Sequence, residues 1–439
     1  LRDPLSRSLE LCCDPVLSVS CHDVDVDVEA FHDKEDITFG NYTLKFSNSI
    51  PPHGQVYKSD KGDEAVISYS PDTNTIIGSL MTEDGKSFAL EKCGKNYIFE
   101  EFELPHSTGK DYFPGPNHTL DGMEIMRATV KIGLGSRQRG PKSYSVMFYY
   151  TPEFAKITTD IENYFDLVIE KANQGYANSQ MPIVVTKFCT ELIEIDEKGG
   201  KLISRFRDFK GSKDALRNTA DVAALFTVEG IGNRCGVGYR RSDVKGKPTS
   251  SSFSVTRKSC ALGGVTFHHE VGHNFGCQHD RIADAPASGD AYGHHIEAGN
   301  GHNGLRTVMA YDTAGHSQQV NYFSNPNVIH PLTGTPTGIR GKADCAGVHT
   351  KNIDYIAALG DESATCKKKC NKRAGSIQLK NYKNSYQQVV PIKSIKFDLK
   401  YLLIRSGICV GQQVQELCLD FCALNLSLVL QFVPMILLR

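Results

Sequence analysis

Neither sign of charge dominates this 439-residue chain: 49 basic and 50 acidic side chains leave a formal net charge of −1. The broad basic footprint of a nucleic-acid binder is therefore missing. There is no internal repeat and no low-complexity tract, so a solenoid or repeat array is excluded. An apolar signal segment is also missing, because Leu1–Cys21 contains Arg2, Asp3, Arg7, Glu10 and Asp14. With Leu1 in place of Met, the N-terminus reads as incomplete or processed, and the lack of a signal says little about compartment. The 14 cysteines are not grouped as CxxC pairs, which argues against a structural zinc ribbon and for disulfides in an oxidising compartment. Sequons at Asn41-Tyr42-Thr43, Asn117-His118-Thr119 and Asn425-Leu426-Ser427 point the same way. A secreted, extracellular protein is expected.

What is present is enough for sizeable cores. Hydrophobic residues make up 40% and charged residues 23%, and the length suggests two or three domains. Residues 1–140 carry short alternating runs: Glu64–Tyr69, the turn Pro71-Asp72-Thr73-Asn74, Thr75–Leu80, Ser87–Leu90 and Tyr97–Phe102. This reads as a β-rich domain that ends in the exposed, protease-cleavable linker Gly133–Pro141. Residues 142–362 alternate strands with helices. Ser143–Tyr150 is a strand, and Thr151-Pro152 caps a helix whose apolar face runs Phe154, Ile157, Ile161, Tyr164, Val168, Ala172. Pro182–Phe188, Val222–Val228 and Ser252–Thr256 are further strands. The β-α-β-α-β order predicts an α/β fold with a mostly parallel sheet and flanking helices.

Residues 363–439 differ in texture, with the basic linker Cys366-Lys-Lys-Lys-Cys370 and the uncharged apolar end Phe421–Leu438. That end sits at the lower edge of a membrane span and is interrupted by Asn425, Gln431 and Pro434. Membrane association, a buried hairpin and a non-native tail remain open readings of it.

The chemistry is concentrated in His269-Glu270-Val271-Gly272-His273-Asn274-Phe275-Gly276-Cys277-Gln278-His279-Asp280. Residues four apart share one face of a helix, so His269 and His273 can present two imidazoles to one ion. Gly276 falls where the helix should stop, letting the chain turn and bring His279 in as a third ligand. Three nitrogens and an open position describe a catalytic zinc rather than a structural one. Glu270 would lie beside that position as general base. With 15 His and 39 Gly in the chain, the full pattern should arise by chance on the order of once in ten thousand such chains. His268 has no histidine four residues on and reads as a neighbour.

The run resembles the extended zinc-binding motif of the metzincins, and Asp280 after the third histidine is similar to their adamalysin (reprolysin) branch. Thr307–Asp312 resembles the Met-turn, which implies Met309 beneath the imidazoles and Asp280 as a brace near that turn. Ser252–Val255, Tyr322–Pro326 and Gly334–Gly338 resemble short reprolysin-like peptidases, the likeness covering about residues 142–362. The resemblance implies a metzincin-type catalytic domain with one antiparallel edge strand, Gly236–Tyr239, on which an extended peptide or protein substrate would add as a strand. The expected activity is zinc-dependent endopeptidase action. A non-catalytic metzincin-fold adhesion protein or a permanently latent zymogen is the alternative, and the intact Glu270 and three histidines argue against the first. Tyr311 stands where some metzincins carry a zinc-binding tyrosine; it is read either as an oxyanion donor or fifth ligand, or as a packed tyrosine. Residues 40–104 loosely resemble a reprolysin propeptide, in which Cys93 is either a cysteine switch over the zinc or a disulfide partner. By resemblance, Cys235 pairs with Cys345. Oligomeric state is not legible.

Overall fold

The short alternating runs of the N-terminal region fold into one antiparallel sheet of eight strands: β1 (Ser18–Val24), β2 (Ile37–Phe39), β3 (Tyr42–Ile50), β4 (Gly54–Lys58), β5 (Glu64–Ser70), β6 (Thr75–Met81), β7 (Ser87–Cys93) and β8 (Asn96–Phe102). Their order is β1-β8-β7-β6-β5-β4-β3-β2, and a short helix α1 (Val28–His32) joins β1 to β2. The computed structural model describes residues 12–14, 16–104, 111–114, 140–209, 220–229, 231–241, 251–284, 289–312, 318–360 and 366. Side chains of successive strand residues point to opposite faces, so Ala65 and Ile67 pack with Tyr57, Leu80 and Leu90 on one side. Val66 packs with Val56, Ile77 and Ala89 on the other. That second face does not meet water. It continues into a core shared with Tyr144, Phe148, Phe165 and Phe226.

A second sheet combines β9 (Tyr112–Pro114), β10 (Lys142–Tyr150), β11 (Ile183–Leu192), β12 (Val222–Thr227), β13 (Gly236–Arg240) and β14 (Phe253–Arg257) in the order β11-β10-β12-β14-β13-β9. The pairs β10/β11, β10/β12 and β12/β14 are parallel and β13/β14 is antiparallel. The six residues of β12 are all buried, as expected of a parallel strand covered on both faces. One expectation fails here. Residues 236–239 do run antiparallel, but they are not an open edge, because β9 pairs with β13 in parallel on its outer side.

Among the described residues six helices flank the sheets: α2 (Pro152–Lys156), α3 (Ile161–Asn178), α4 (Leu202–Asp208), α5 (Lys258–Gly263), α6 (Thr266–Phe275) and α7 (Cys345–Ile356). Thr151 caps α2 by accepting the Phe154 N–H at 3.2 Å. The single helical face expected from Phe154 to Ala172 is broken. Helix α2 ends at Ile157, and Asp160 starts α3 by accepting the Asn163 N–H at 3.1 Å. Asp160 competes with helix continuation through this local side-chain hydrogen bond, and the period of the apolar residues hid that break.

Buried charges tie the antiparallel sheet to the helices. The Lys171 ammonium on α3 donates to Ser79 Oγ (2.7 Å) and to the carbonyls of Ala261 (2.9 Å), Leu262 (2.6 Å) and Gly264 (2.7 Å). Lys258 meets Glu91 at 2.5 Å, both side chains nearly inaccessible. Disulfides join Cys12–Cys93, Cys13–Cys21, Cys189–Cys366 and Cys235–Cys260. The expected Cys235–Cys345 bridge is therefore replaced by Cys235–Cys260, whose cysteines lie at β13 and on α5, and Cys277 and Cys345 are buried thiols. Among the described residues no helix is long and apolar enough to cross a membrane. The linker 133–139 and the tail from 367 onward lie outside the described residues.

Candidate metal centre

Helix α6 carries His269, Glu270 and His273, all buried. It stops at Gly276, whose φ of +108° is costly for any residue with a Cβ. The Cys277 N–H then bonds back to the Gly272 carbonyl at 2.9 Å, and the reversed chain returns His279 toward the helix. The three imidazole centroids stand 4.8–5.4 Å apart. Each Nδ1 faces a fixed partner: Val308 O at 2.7 Å from His269, Cys277 O at 2.9 Å from His273, and the Asp284 carboxylate at 3.4 Å from His279. At His269 and His273 a proton held on Nδ1 by these carbonyls leaves the Nε2 lone pair for a metal, and the Asp284 carboxylate stands at ion-pair distance from the Nδ1 of His279.

The three Nε2 atoms converge on a residue that sequence reasoning missed. Asp111 Oδ1 lies 2.6 Å from His279 Nε2 and 3.3 Å from His273 Nε2, and its Oδ2 lies 3.4 Å from His269 Nε2. Asp111 and the three histidines together form a buried cluster able to hold a metal ion. Burial alone would push the Asp111 carboxyl up, but the His279 and His269 imidazoles hold it well below the usual carboxylate range. His279 is raised to about 9 despite its burial, by the Asp111 and Asp284 carboxylates, whereas burial takes His273 down to about 4. Both Glu270 carboxylate oxygens are buried with no hydrogen-bond partner. Burial, then the Asp111 charge, drives the Glu270 carboxyl well above its ordinary value. The donor set fits a divalent ion: nitrogen and carboxylate ligands converge in a buried site beside an unsatisfied carboxylate.

The residues around the ligands take defined places. Met309 is fully buried under α6, where a Cβ on Gly272 would stand 2.5 Å from its Sδ. Asp280 accepts the N–H groups of Tyr311 (3.0 Å), Ile282 (2.9 Å) and Ala283 (3.0 Å). Tyr311 stacks on His279 with centroids 3.8 Å apart, and its Oη accepts the Asp111 N–H at 3.2 Å. His268 points away, to Asn321 Oδ1 at 2.9 Å. Cys93 is on β7, bonded to Cys12. The cysteine-switch reading is thereby corrected, since a disulfide sulfur offers no thiolate and the group over the imidazoles is the Asp111 carboxylate. Asp284 was missed as well; it accepts the His279 N–H at 3.1 Å and the Tyr112 hydroxyl at 3.1 Å. Its position five residues after a candidate ligand was the available signal. Asp111 had none, because no local spacing links it to the histidines.

A polar cavity of about 390 Å³ opens beside the cluster, lined by Thr266, His269, Glu270, Arg306, Tyr311 and Lys86 among others. Arg306 comes from the small sheet of β15 (His295–Ile296), β16 (Leu305–Arg306) and β17 (Gln318–Gln319), and donates to Ala310 O at 3.1 Å.

Comparison with known proteins points to a metallopeptidase family. Residues 140–324 match a reprolysin family described as metallo-peptidase family M12. Two proteins of Stenotrophomonas maltophilia strains, each named peptidyl-Asp metalloendopeptidase, are similar along most of the chain. One is 30% identical over 349 residues, 76% of this chain and 79% of the relative, and the other is 28% identical over 346 residues with the same coverage. A protein of the same name from Xanthomonas campestris is 32% identical over 208 residues, 46% of this chain and 47% of the relative.

Proposed function

Since the chain belongs to the reprolysin-like M12 metallopeptidases and is a metalloendopeptidase, we propose that it is a secreted zinc enzyme that hydrolyses internal peptide bonds of proteins, with Glu270 as the proton carrier. The observation that carries this reading is the convergence of three Nε2 atoms next to a buried carboxylate with no other partner. His269, His273 and His279 would hold the ion. Zinc bound there would polarise the scissile carbonyl and bring the acidity of water near neutral pH. Glu270 takes the proton of the attacking water as the C–O bond forms, then delivers it to the amine nitrogen as the C–N bond breaks. Gly236–Arg240 would supply the main-chain groups that align an extended substrate once β9 leaves it, and Tyr311, which lines the same cavity, would donate to the developing oxyanion on release of its present contacts with Asp111. By this reading residues 142–362 are the catalytic domain, of metzincin type, and residues 1–140 a prosegment.

The relatives' name suggests the substrate class: bonds at aspartate. Arg306 supports that choice, since it lines the same cavity as His269 and Glu270 and is one of two cationic residues there, with Lys86, and a guanidinium attracts a carboxylate side chain. Cleavage of a peptide library tests the proposal in wild type, Glu270→Gln and Arg306→Gln, with zinc content measured in each. Glu270→Gln should retain one zinc and lose at least about 100-fold in kcat. Arg306→Gln should lose its aspartate preference with general cleavage retained. Comparable turnover in wild type and Glu270→Gln overturns the assigned base, and an unchanged preference in Arg306→Gln overturns the recognition role.

A further inference from the structure

We propose that Asp111 is a fourth protein ligand of the metal, and that Asp111 with Tyr112–Pro114 silences the peptidase by filling its open coordination position and the outer edge of β13. The inference rests on the histidine assignment above. Ligand atoms of a tetrahedral zinc site with bonds of about 2.0–2.2 Å stand about 3.3–3.6 Å apart. The Asp111 oxygens lie 3.3 Å from His273 Nε2 and 3.4 Å from His269 Nε2, so the carboxylate stands where the fourth ligand belongs. The contact with His279, at 2.6 Å, is a direct hydrogen bond that an ion among the four atoms would part to the same spacing.

The segment is held in place by its own contacts. The Gly238 N–H donates to the Asp111 carbonyl at 3.1 Å, the β9–β13 pairing continues from there, and Tyr311 accepts the Asp111 N–H. Tyr112 lies over His273 and His279, with centroids 4.8 and 5.2 Å away, its hydroxyl donates to Asp284, and the Arg240 guanidinium covers its ring at 4.7 Å. Asp111 therefore presents a side chain to the ligands, while its main-chain carbonyl is engaged by β13. With that carbonyl turned to β13, the segment occupies the site through a side chain and does not offer the Asp111 peptide bond for cleavage. The same β13 N–H groups and the same coordination position are those a substrate needs, and an intramolecular ligand competes at high effective concentration.

The full-length chain loaded with cobalt(II) provides the test, because the visible absorption of cobalt reports its ligands independently of catalysis. Acetohydroxamate, a small bidentate metal ligand, is titrated into wild type, Asp111→Ala and Asp111→Asn. The wild-type spectrum should stay unchanged at millimolar acetohydroxamate. Asp111→Ala should start from a different spectrum and bind the probe at least about 100-fold more tightly; Asp111→Asn, which keeps the shape and weakens the donor, should fall between. Peptide hydrolysis by the uncut chain should rise in the same order. Acetohydroxamate shifting the wild-type spectrum as readily as that of Asp111→Ala overturns the assignment, and the wild-type titration alone suffices if a variant does not fold. Failure of every protein to hold one metal overturns the histidine site itself, and stoichiometric metal with no effect of residue 111 overturns only the latency.

Discussion

Replacing Asp280 by Asn tests how far the metal loop depends on a carboxylate that touches no ligand nitrogen. Asp280 Oδ1 accepts the N–H groups of Ile282 and Ala283, and Oδ2 accepts that of Tyr311. An asparagine has only one acceptor oxygen. If it serves the Ile282 and Ala283 donors, its amide NH2 must face the Tyr311 N–H, donor against donor. One charge-assisted hydrogen bond is lost and a buried N–H is left unpaired, a cost of about 1.5–3 kcal/mol. The loss falls on the segment that carries Met309 and Tyr311, so metal affinity should drop by about 10–100-fold, as for other groups that position ligands. Asp280→Ala removes all three acceptances and should cost about 3–5 kcal/mol. Denaturant unfolding of the zinc-loaded proteins measures the first effect, and competition with a chromophoric chelator the second. An Asp280→Asn protein as stable as wild type, with the same zinc affinity, would refute the reasoning.

Two further outcomes concern the packing between the antiparallel sheet and the helices. Glu170, whose Oε1 accepts the His53 N–H at 3.0 Å, is pushed by burial up to about 8; since an unfolded glutamate titrates near 4.3, the stability that protonated Glu170 contributes is fully present below that value and is lost as pH rises through 8. Unfolding followed from pH 6 to pH 9 should show a loss of about 2–3 kcal/mol that Glu170→Gln abolishes, and an identical slope in the two proteins would refute it. Lys258→Met strands the Glu91 carboxylate in a site where both side chains are almost inaccessible, and should destabilise by about 3–5 kcal/mol, most of it recovered in Lys258→Met/Glu91→Leu. An additive double variant, measured in the same unfolding assay, would show that the pair is not coupled.

The parts of this protein that can be read in its sequence are those set by near neighbours. The four-residue step from His269 to His273 puts both imidazoles on one face of α6, and Gly276, at φ +108°, ends that helix where the chain must turn for His279. The alternation and turns between Glu64 and Phe102 likewise specify hairpins, because each strand pairs with the next along the chain. Even local reasoning failed where a competing local interaction won, as when the Asp160 cap split one apolar face into α2 and α3.

Tertiary structure alone decided what stands over the histidines. Asp111 is 162 residues from His273 and 168 from His279, and it arrives through the pairing of β9 with β13, a contact with no periodicity to announce it. The cysteines obey the same limit: Cys93 meets Cys12 across 81 residues and Cys235 meets Cys260 across 25, and which thiols meet depends on how strands and helices pack. Helix phase and turn conformation are short-range properties carried by a few adjacent residues. Which carboxylate caps a metal site is set by the packing of whole elements, and that is written in no single stretch of the chain.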